Sequence, residues 1–476
     1  MKKVISLLLC AVMFFALPSC SGQSGGEGTV TLKWLVPGDS QPDLTNVMEK
    51  VNAITEKEIG VKIDLQFIDS GAYAERLRMN MASQENFDLC YVNTNSYEDA
   101  VKKGGLMDIK SVMEKQNSIL LTEVPDYAWQ AATIKDGIYA VPNVQIFATQ
   151  DGIVIRKDLA DKYKLDTGSI SKMQDIEPFL AAVKKGESDV YPIRTFALSA
   201  FYTDAYELNR PTITGTSRDG NNTVLAYTDQ PEFWEAAEIV RDWYNNGYIR
   251  SDAATVTDDT SDYLAGKYAV YKTVIKPGVE AEEEAKLGRD LIIVPIGKPY
   301  VTTKSISATM TAISATCKHP EKALKFLELV NTNKELYNLL CYGIEGTHYK
   351  TLENGHIRQI DGSGYAPNAS WKFGCQFNAL LLENQQDGVW EETERLNNES
   401  EHSSLLGLTI DTSEIRTEVA QCLAIYSEYD TVLVSGSEDP NTFKETMISR
   451  LETAGMSKVV ENISNQVQEF LNSKEG

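Results

Sequence analysis

The chain has 476 residues, of which 42% are hydrophobic and 24% charged, and it carries a formal charge of −23. That length supports a large buried core and at least two domains. The acidic excess argues against nucleic acid or an anionic lipid surface as partner.

The N-terminus, "MKKVISLLLCAVMFFALPSC", sets two lysines before an apolar run from Val4 to Leu17 broken only by Ser6. This is the layout of a secretory signal, too short for a transmembrane span. A small residue before Cys20 and the Gly/Ser stretch "SGQSGGEG" after it resemble a bacterial lipoprotein cleavage site. The expectation is a signal peptide over 1–19, lipid on Cys20 and a tether over 20–28, with membrane attachment through that lipid only. No later apolar run approaches membrane length. Cys90, Cys317, Cys341, Cys375 and Cys422 are scattered and form no disulfide framework, although one bridge stays open.

Catalytic signatures are sparse. The four histidines form no His-x-x-x-His pair, and there is no Cys-x-x-Cys or phosphate-cradling glycine loop, so no metal or cofactor is expected. Gly22-Gln23-Ser24-Gly25-Gly26 fits G-x-S-x-G but lies in the tether, without the strand and helix that motif needs.

From residue 29 the pattern becomes strand–helix–strand. "TVTLKWLV" (29–36) is β-rich, and 43–58 carries one apolar stripe of Leu44, Val47, Met48, Val51 and Ile54 before Gly60. "VKIDLQF" (61–67) alternates as a strand, 72–84 reads as a helix, and "FDLCYV" (87–92) as a short buried strand. Such a succession implies a parallel sheet, and ligands of parallel sheets bind beyond the carboxyl ends of the strands. This nominates Gly38, Asp39 and Ser40, then Asp69 and Ser70, then Asn93, Thr94 and Asn95. Each of these types also favours helix caps and turns, and for any one of them that plainer role leads, while for the set as a cleft wall the functional reading leads.

A second α/β pattern starts near 153, with strands at Ile153–Ile155, "YPIRTFAL", "YAVYKTV" and "LIIVPIG" and a long helix in "PEFWEAAEIVRDWYNNGYI". "SISATMTAISAT" (305–316) suits a strand crossing between domains. Pro320 opens a further helix, and Thr332-Asn333-Lys334-Glu335 reads as a capping box for another, ending at Gly343 with a left-handed cap. The loop beyond it, "YGIEGTHY" (342–349), sets Glu345 and His348 three apart. Its glycines suit a tight turn, which makes turn-building or ligand-holding better roles than acid/base chemistry. From 377 onward the chain is mainly helical and acidic.

Taken together, the lipoprotein-like start, "YAVP" (139–142), "WYNNGYI" (243–249), "LAGKYAVY" (264–271), "ISATMTAISATCKHPEKALKFLELV" (306–330) and the tail from about 405 resemble the family 1 extracellular solute-binding lipoproteins of bacterial ABC importers. The resemblance covers nearly the whole mature chain and is closest to long members with a helical C-terminal extension. It implies an α/β, two-lobed, periplasmic-binding-protein-like type II fold with a hinge, crossed near 144–152 and 301–306. The expected division is 29–145 plus 303–350 for the first lobe, and 146–302 plus 351–476 for the second lobe and helical region. It also implies no enzymatic activity, an oligosaccharide ligand, ABC permease subunits as partners, a monomer, and a place on the outer face of the cytoplasmic membrane or facing a periplasm. Sugar recognition needs flat apolar faces, for which aromatics in loops are nominated: Trp129, Phe147, Tyr202, Tyr206 and Trp371. With Asp39, Ser40, Asp69, Asn93, Asn95 and Glu345 these make up the expected ligand-binding set. The competing readings are an anchored glycoside hydrolase, a peptide receptor of the same fold, and a surface adhesin.

Overall fold

The computed structural model describes residues 29–209 and 213–475. The signal segment, Cys20 and the tether with its G-x-S-x-G string lie outside the described residues.

Two separate hydrophobic cores organise the molecule. The first is built on a five-stranded sheet in the order Val61–Ile68, Val30–Pro37, Leu89–Val92, Met310–Ile313, Ala140–Pro142. Its first three strands are parallel, and Met310–Ile313 runs against both its neighbours. Alternation along Val30–Pro37 sends Trp34 to one face and Leu35 to the other. On one face Trp34 is fully buried and meets Phe326 and Phe373 edge-on at 5.3 and 5.6 Å. Each such contact adds roughly 0.5–1.5 kcal/mol to the area it buries. On the other face the Tyr73 hydroxyl donates to the carbonyls of Leu35 and Tyr91 at 3.1 and 2.7 Å. The helix Leu44–Ile59 buries Val47, Met48, Val51 and Thr55, and Gly60, at φ 65°, ends it in the left-handed conformation glycine tolerates best.

The second core surrounds a sheet ordered Glu401–His402, Leu291–Val301, Thr149–Arg156, Tyr268–Val274, Tyr191–Ile193. The helix Pro231–Asn245 lays Phe233, Trp234, Ala236, Ala237, Val240 and Trp243 against this core. The C-terminal helices Arg416–Ser435, Pro440–Thr453 and Met456–Glu475 pack on the same body through Cys422, Met447, Leu451, Val459, Ile463 and Val467.

Three differences from the sequence reading are physical. Residues from 351 to about 396 belong with the first core: Ile357, Tyr365, Ala369, Phe373 and Ala379 are all buried there. A hairpin pairing Tyr349–Thr351 with Ile357–Gln359, the Tyr365 hydroxyl on the Leu340 carbonyl at 2.8 Å, and Phe373 against Trp34 hold this segment in place. The helix Lys334–Tyr342 is capped by Asn333, whose side chain accepts from the Leu336 amide at 2.9 Å, and not by Thr332. Gly343 has φ 78° and ψ −141°, outside the left-handed helical region, and a Cβ there would lie 2.6 Å from His348 Nδ1.

The chain therefore passes between the cores three times: at 143–149, at 301–309 and near 400–406, where Leu405 joins the second core and Leu406 the first. One buried side chain ties the first and third passages together. Asn397 accepts from the Phe147 and Ala148 amides at 2.7 and 3.1 Å and donates to the Gln145 carbonyl at 2.6 Å. Asn397→Ala leaves two buried amides and a partly buried carbonyl unpaired, the buried ones costing about 1–3 kcal/mol each. We expect a fall in the thermal midpoint larger than that of any single surface substitution, with Asn397→Asp, which keeps the acceptor, falling less. A wild-type midpoint for Asn397→Ala would show that the passages are held by other contacts.

Candidate functional site

The carboxyl ends of the first sheet's parallel strands place Gly38–Ser40, Asp69 and Asn93 along one edge. Asn143 and Thr309 continue that edge, because Pro142 and Val92 both pair with Met310. In the second sheet the corresponding end carries Asp151, Val274 and Ile296, set opposite one another by register. A recess of about 350 Å³ opens between the two bodies. Gln145 and Ile146 line it from the first passage, Lys276, Pro277 and Glu282 from the second body, and Thr309, Trp371, Gln376 and Trp390 from the first.

Trp371 is the exposed aromatic of this recess, with 37% of its surface accessible. Its backbone is fixed while its ring stays partly exposed. The Trp371 carbonyl accepts from Asn143 Nδ2 at 3.3 Å and from the Thr309 hydroxyl at 3.2 Å. Next to it, the Lys372 ammonium donates to the Pro37 carbonyl at 2.8 Å and lies 5.4 Å from the indole centre. Burial lowers the pKa of Lys372, and the nearby charge of Asp39 opposes that shift.

The other nominated residues divide into groups. Asp39 and Ser40 are exposed on the first strand's exit loop. Asp69 serves as a cap, accepting from the Gly71 and Ala72 amides at 3.0 and 3.1 Å. Asn93 does the same for Asn95 and Ser96, and Asn93 and Asn95 border a separate groove of about 560 Å³ beside Tyr73, Leu77 and Met81. Trp129, Phe147 and Tyr202 are corrections: all three are buried in the hydrophobic cores, where their rings pack against neighbouring side chains and present no face to the cleft. Tyr206 packs edge-on against Tyr202 at 6.2 Å on the flank of the second core. Glu345 is exposed, takes the Thr351 hydroxyl at 2.5 Å and does not line the recess. His348, fully buried, accepts the Ile344 amide on Nδ1 at 2.9 Å, so its proton sits on Nε2, 2.9 Å from Asp43.

Asn143, Gln145, Thr309, Gln376, Lys372 and Trp390 were not singled out from sequence. Two of them had a signal: polar Asn143 and Gln145 directly follow the apolar "YAVP" in a segment expected to cross between lobes. Among the described residues no group of three or more His, Cys, Asp or Glu side chains is placed to hold a metal, all five cysteines are free, and no helix is long and apolar enough to cross a membrane.

The model of the bacterial extracellular solute-binding proteins matches residues 38–336, more than half of the chain. The chain belongs to this family. A domain of unknown function matches residues 404–472, which include the C-terminal helices that pack on the second body of this solute-binding protein. It is 25% identical to a carbohydrate ABC transporter substrate-binding protein of Streptococcus pneumoniae over 448 residues, 92% of this chain and 90% of that one. It is 21% identical to the polygalacturonan/rhamnogalacturonan-binding protein YtcQ of Bacillus subtilis over 359 residues, 71% of this chain and 70% of that one. Among solved structures, the N-glycan transport solute-binding protein of S. pneumoniae superposes with a TM-score of 0.84 at 24% identity, covering 93% of this chain and 99% of that one. Its complex with Man5GlcNAc gives 0.71. These neighbours are two-lobed solute-binding proteins.

Around the third passage lies a charged cluster. Glu207 accepts from the Ser403 hydroxyl and, at 3.4 Å, from Tyr300. Arg218 stacks 3.5 Å from the Tyr300 ring centre and stands 3.7 Å from Asp204 and 4.0 Å from Glu401. Burial raises the Glu207 pKa above its ordinary 4.5, against the lowering effect of the two hydroxyls. A raised carboxyl contributes stability that is fully present below its unfolded value and lost as pH rises through the folded one. Glu207→Gln should therefore raise the thermal midpoint relative to wild type at neutral pH, with the difference closing below about pH 4. A gap that widens toward acid pH would reverse that sign.

Proposed function

We propose that the protein is the lipid-anchored receptor of an ABC importer, capturing an oligosaccharide between its lobes and delivering it to the permease. The observation that carries this reading is Trp371: an indole held by its backbone at the mouth of the interlobe recess with its ring partly exposed to it. Sugars present C–H surfaces that pack on such rings, and the neighbouring amides and hydroxyls of Gln145, Gln376 and Thr309 suit their hydroxyl groups. The S. pneumoniae and B. subtilis relatives, a carbohydrate transporter's substrate-binding protein and a polygalacturonan/rhamnogalacturonan-binding protein, support it. Ligand contacts from both lobes would favour a closed arrangement.

A hydrolase reading is disfavoured by the lining of the recess. Glycoside hydrolysis uses two carboxylates roughly 5–10 Å apart. Among the described residues the one carboxylate lining this recess is Glu282, already paired with Lys276 at 2.7 Å.

Titration calorimetry against a panel of oligosaccharides and peptides tests the reading. Trp371→Ala should weaken binding of the best saccharide by about tenfold or more, since a stacked ring contributes on the order of 1–3 kcal/mol. The unliganded melting point should move little, because the ring covers little of the core. Saccharide recovered after long incubation should be intact. Equal affinity in wild type and variant, or cleavage by the wild type, would defeat the proposal. Anchoring is tested separately at Cys20: labelling cells with a fatty-acid analogue should mark the wild-type chain and not Cys20→Ala, and equal labelling would place the lipid elsewhere.

A further inference from the structure

Resting on that reading, we infer that the glycan this cleft accepts is uncharged and that uronic-acid or sulfated oligosaccharides are excluded. The inference comes from how the cations around the recess are already used. Lys276 is held by Glu282 at 2.7 Å within the lining itself. At the adjoining end of the second sheet Lys272 is matched by Asp151 at 2.6 Å, with both side chains largely buried. Further along that sheet Arg194 forms two bonds to Asp259, at 2.8 and 2.6 Å. On the first body Lys372 spends its ammonium on the Pro37 carbonyl, with Asp39 close enough to act on its charge.

The two smaller cavities near the passages carry more carboxylate than cation. Arg218 faces Glu207 and Glu401 in one of them. Lys304 shares the other with Glu98 and Glu207. A polyanionic glycan brings one charge per acidic sugar and needs unmatched Arg or Lys to offset the loss of its hydration. Here it would meet Lys276, Lys272 and Arg194 already ion-paired, Lys372 held on a carbonyl beside Asp39, carboxylates in excess in the adjoining cavities, and a chain of formal charge −23. The remaining polar groups of the recess are neutral: the amides of Gln145, Gln376 and Gln385 and the hydroxyls of Thr309 and Thr393. Groups of that kind exchange hydrogen bonds with sugar hydroxyls without a charge partner.

The relatives make this a real choice, since one is described as binding polygalacturonan and another crystallised with a mannose–N-acetylglucosamine glycan. The test is calorimetry of the purified protein with Man5GlcNAc and other neutral oligosaccharides, and with tetragalacturonate and a sulfated oligosaccharide of similar length. A neutral probe should bind at least about tenfold tighter than every anionic one, and its affinity should hold between about 20 and 500 mM salt. Glu282→Gln frees Lys276 and should shift the neutral-to-uronate affinity ratio toward the uronate by about threefold or more. Tightest binding by an anionic probe, weakening with salt, overturns the inference while leaving the glycan-receptor reading intact. An unchanged ratio in Glu282→Gln overturns the assignment of selectivity to charge matching. Binding of no saccharide of either kind removes the receptor reading, and this inference with it.

Discussion

The carboxamide of Asn397 is the constraint on which the two-body arrangement rests. Where the first passage leaves its sheet, at 143–148, its peptide groups have no strand ladder to complete, and leaving them unpaired in a buried setting is costly. Asn397 supplies partners to three of them at once, and a fully buried amide can do so only in one orientation. The backbone carbonyl of Asn397 receives His402 Nε2 at 3.1 Å, and His402 in turn lies 4.4 Å from the ring of Tyr127. The helix that carries Asn397, Val389–Glu399, also lines the recess through Trp390 and Thr393. Whatever moves the passages therefore moves one wall of the recess.

The recess combines a rigid frame with open contact surface. Trp371 sits in a short turn over Ser370–Lys372 whose carbonyls are bound from three sides: Tyr337 on Ser370, and Asn143 and Thr309 on Trp371. An aromatic ring on a fixed backbone has few torsions left to lose, so little ordering entropy opposes its contact with a ligand. Asn143 and Thr309 come from two different passages and meet at one carbonyl. The aromatic face is thus referenced to the hinge as well as to its own lobe.

Much of the fold was legible because its elements obey simple periodicities. The stripe of Val47, Met48 and Val51 and the alternation of Val61, Ile63 and Leu65 appear in the structure as the buried faces the sequence implies. The candidate site was less legible for a specific reason. Strand-end Asp and Asn residues and loop aromatics are ambiguous in sequence, since capping and core packing use the same side chains as ligand contact. Asp69 and Asn93 turned to capping, and Trp129, Phe147 and Tyr202 to packing. Trp371 differs in that its turn is pinned by backbone carbonyls, which leaves the indole without a core to fill. The placement of 351–396 was not visible because the contact that decides it, Phe373 against Trp34, joins residues more than 300 positions apart.

The buried His348 shows how a loop with catalytic-looking residues can serve the site without touching it. Its two ring nitrogens are both committed, one to the Ile344 amide and the other to Asp43. Asp43 lies four residues beyond Asp39, and its amide donates to Gly364 at 3.0 Å, while the Gln41 side chain accepts the Ala366 amide at 2.8 Å. The exit loop of the first strand is therefore fastened along its length to the segment that leads into Trp371. An imidazole with no free nitrogen has no proton to exchange with a substrate. A neutral imidazole of fixed tautomer does supply one donor and one acceptor in a fixed direction, which is what holding two chain segments in register requires. The Glu–His spacing of "YGIEGTHY" is in this light a consequence of the turn that delivers His348 to Asp43, with Glu345 left outside to close the turn on Thr351.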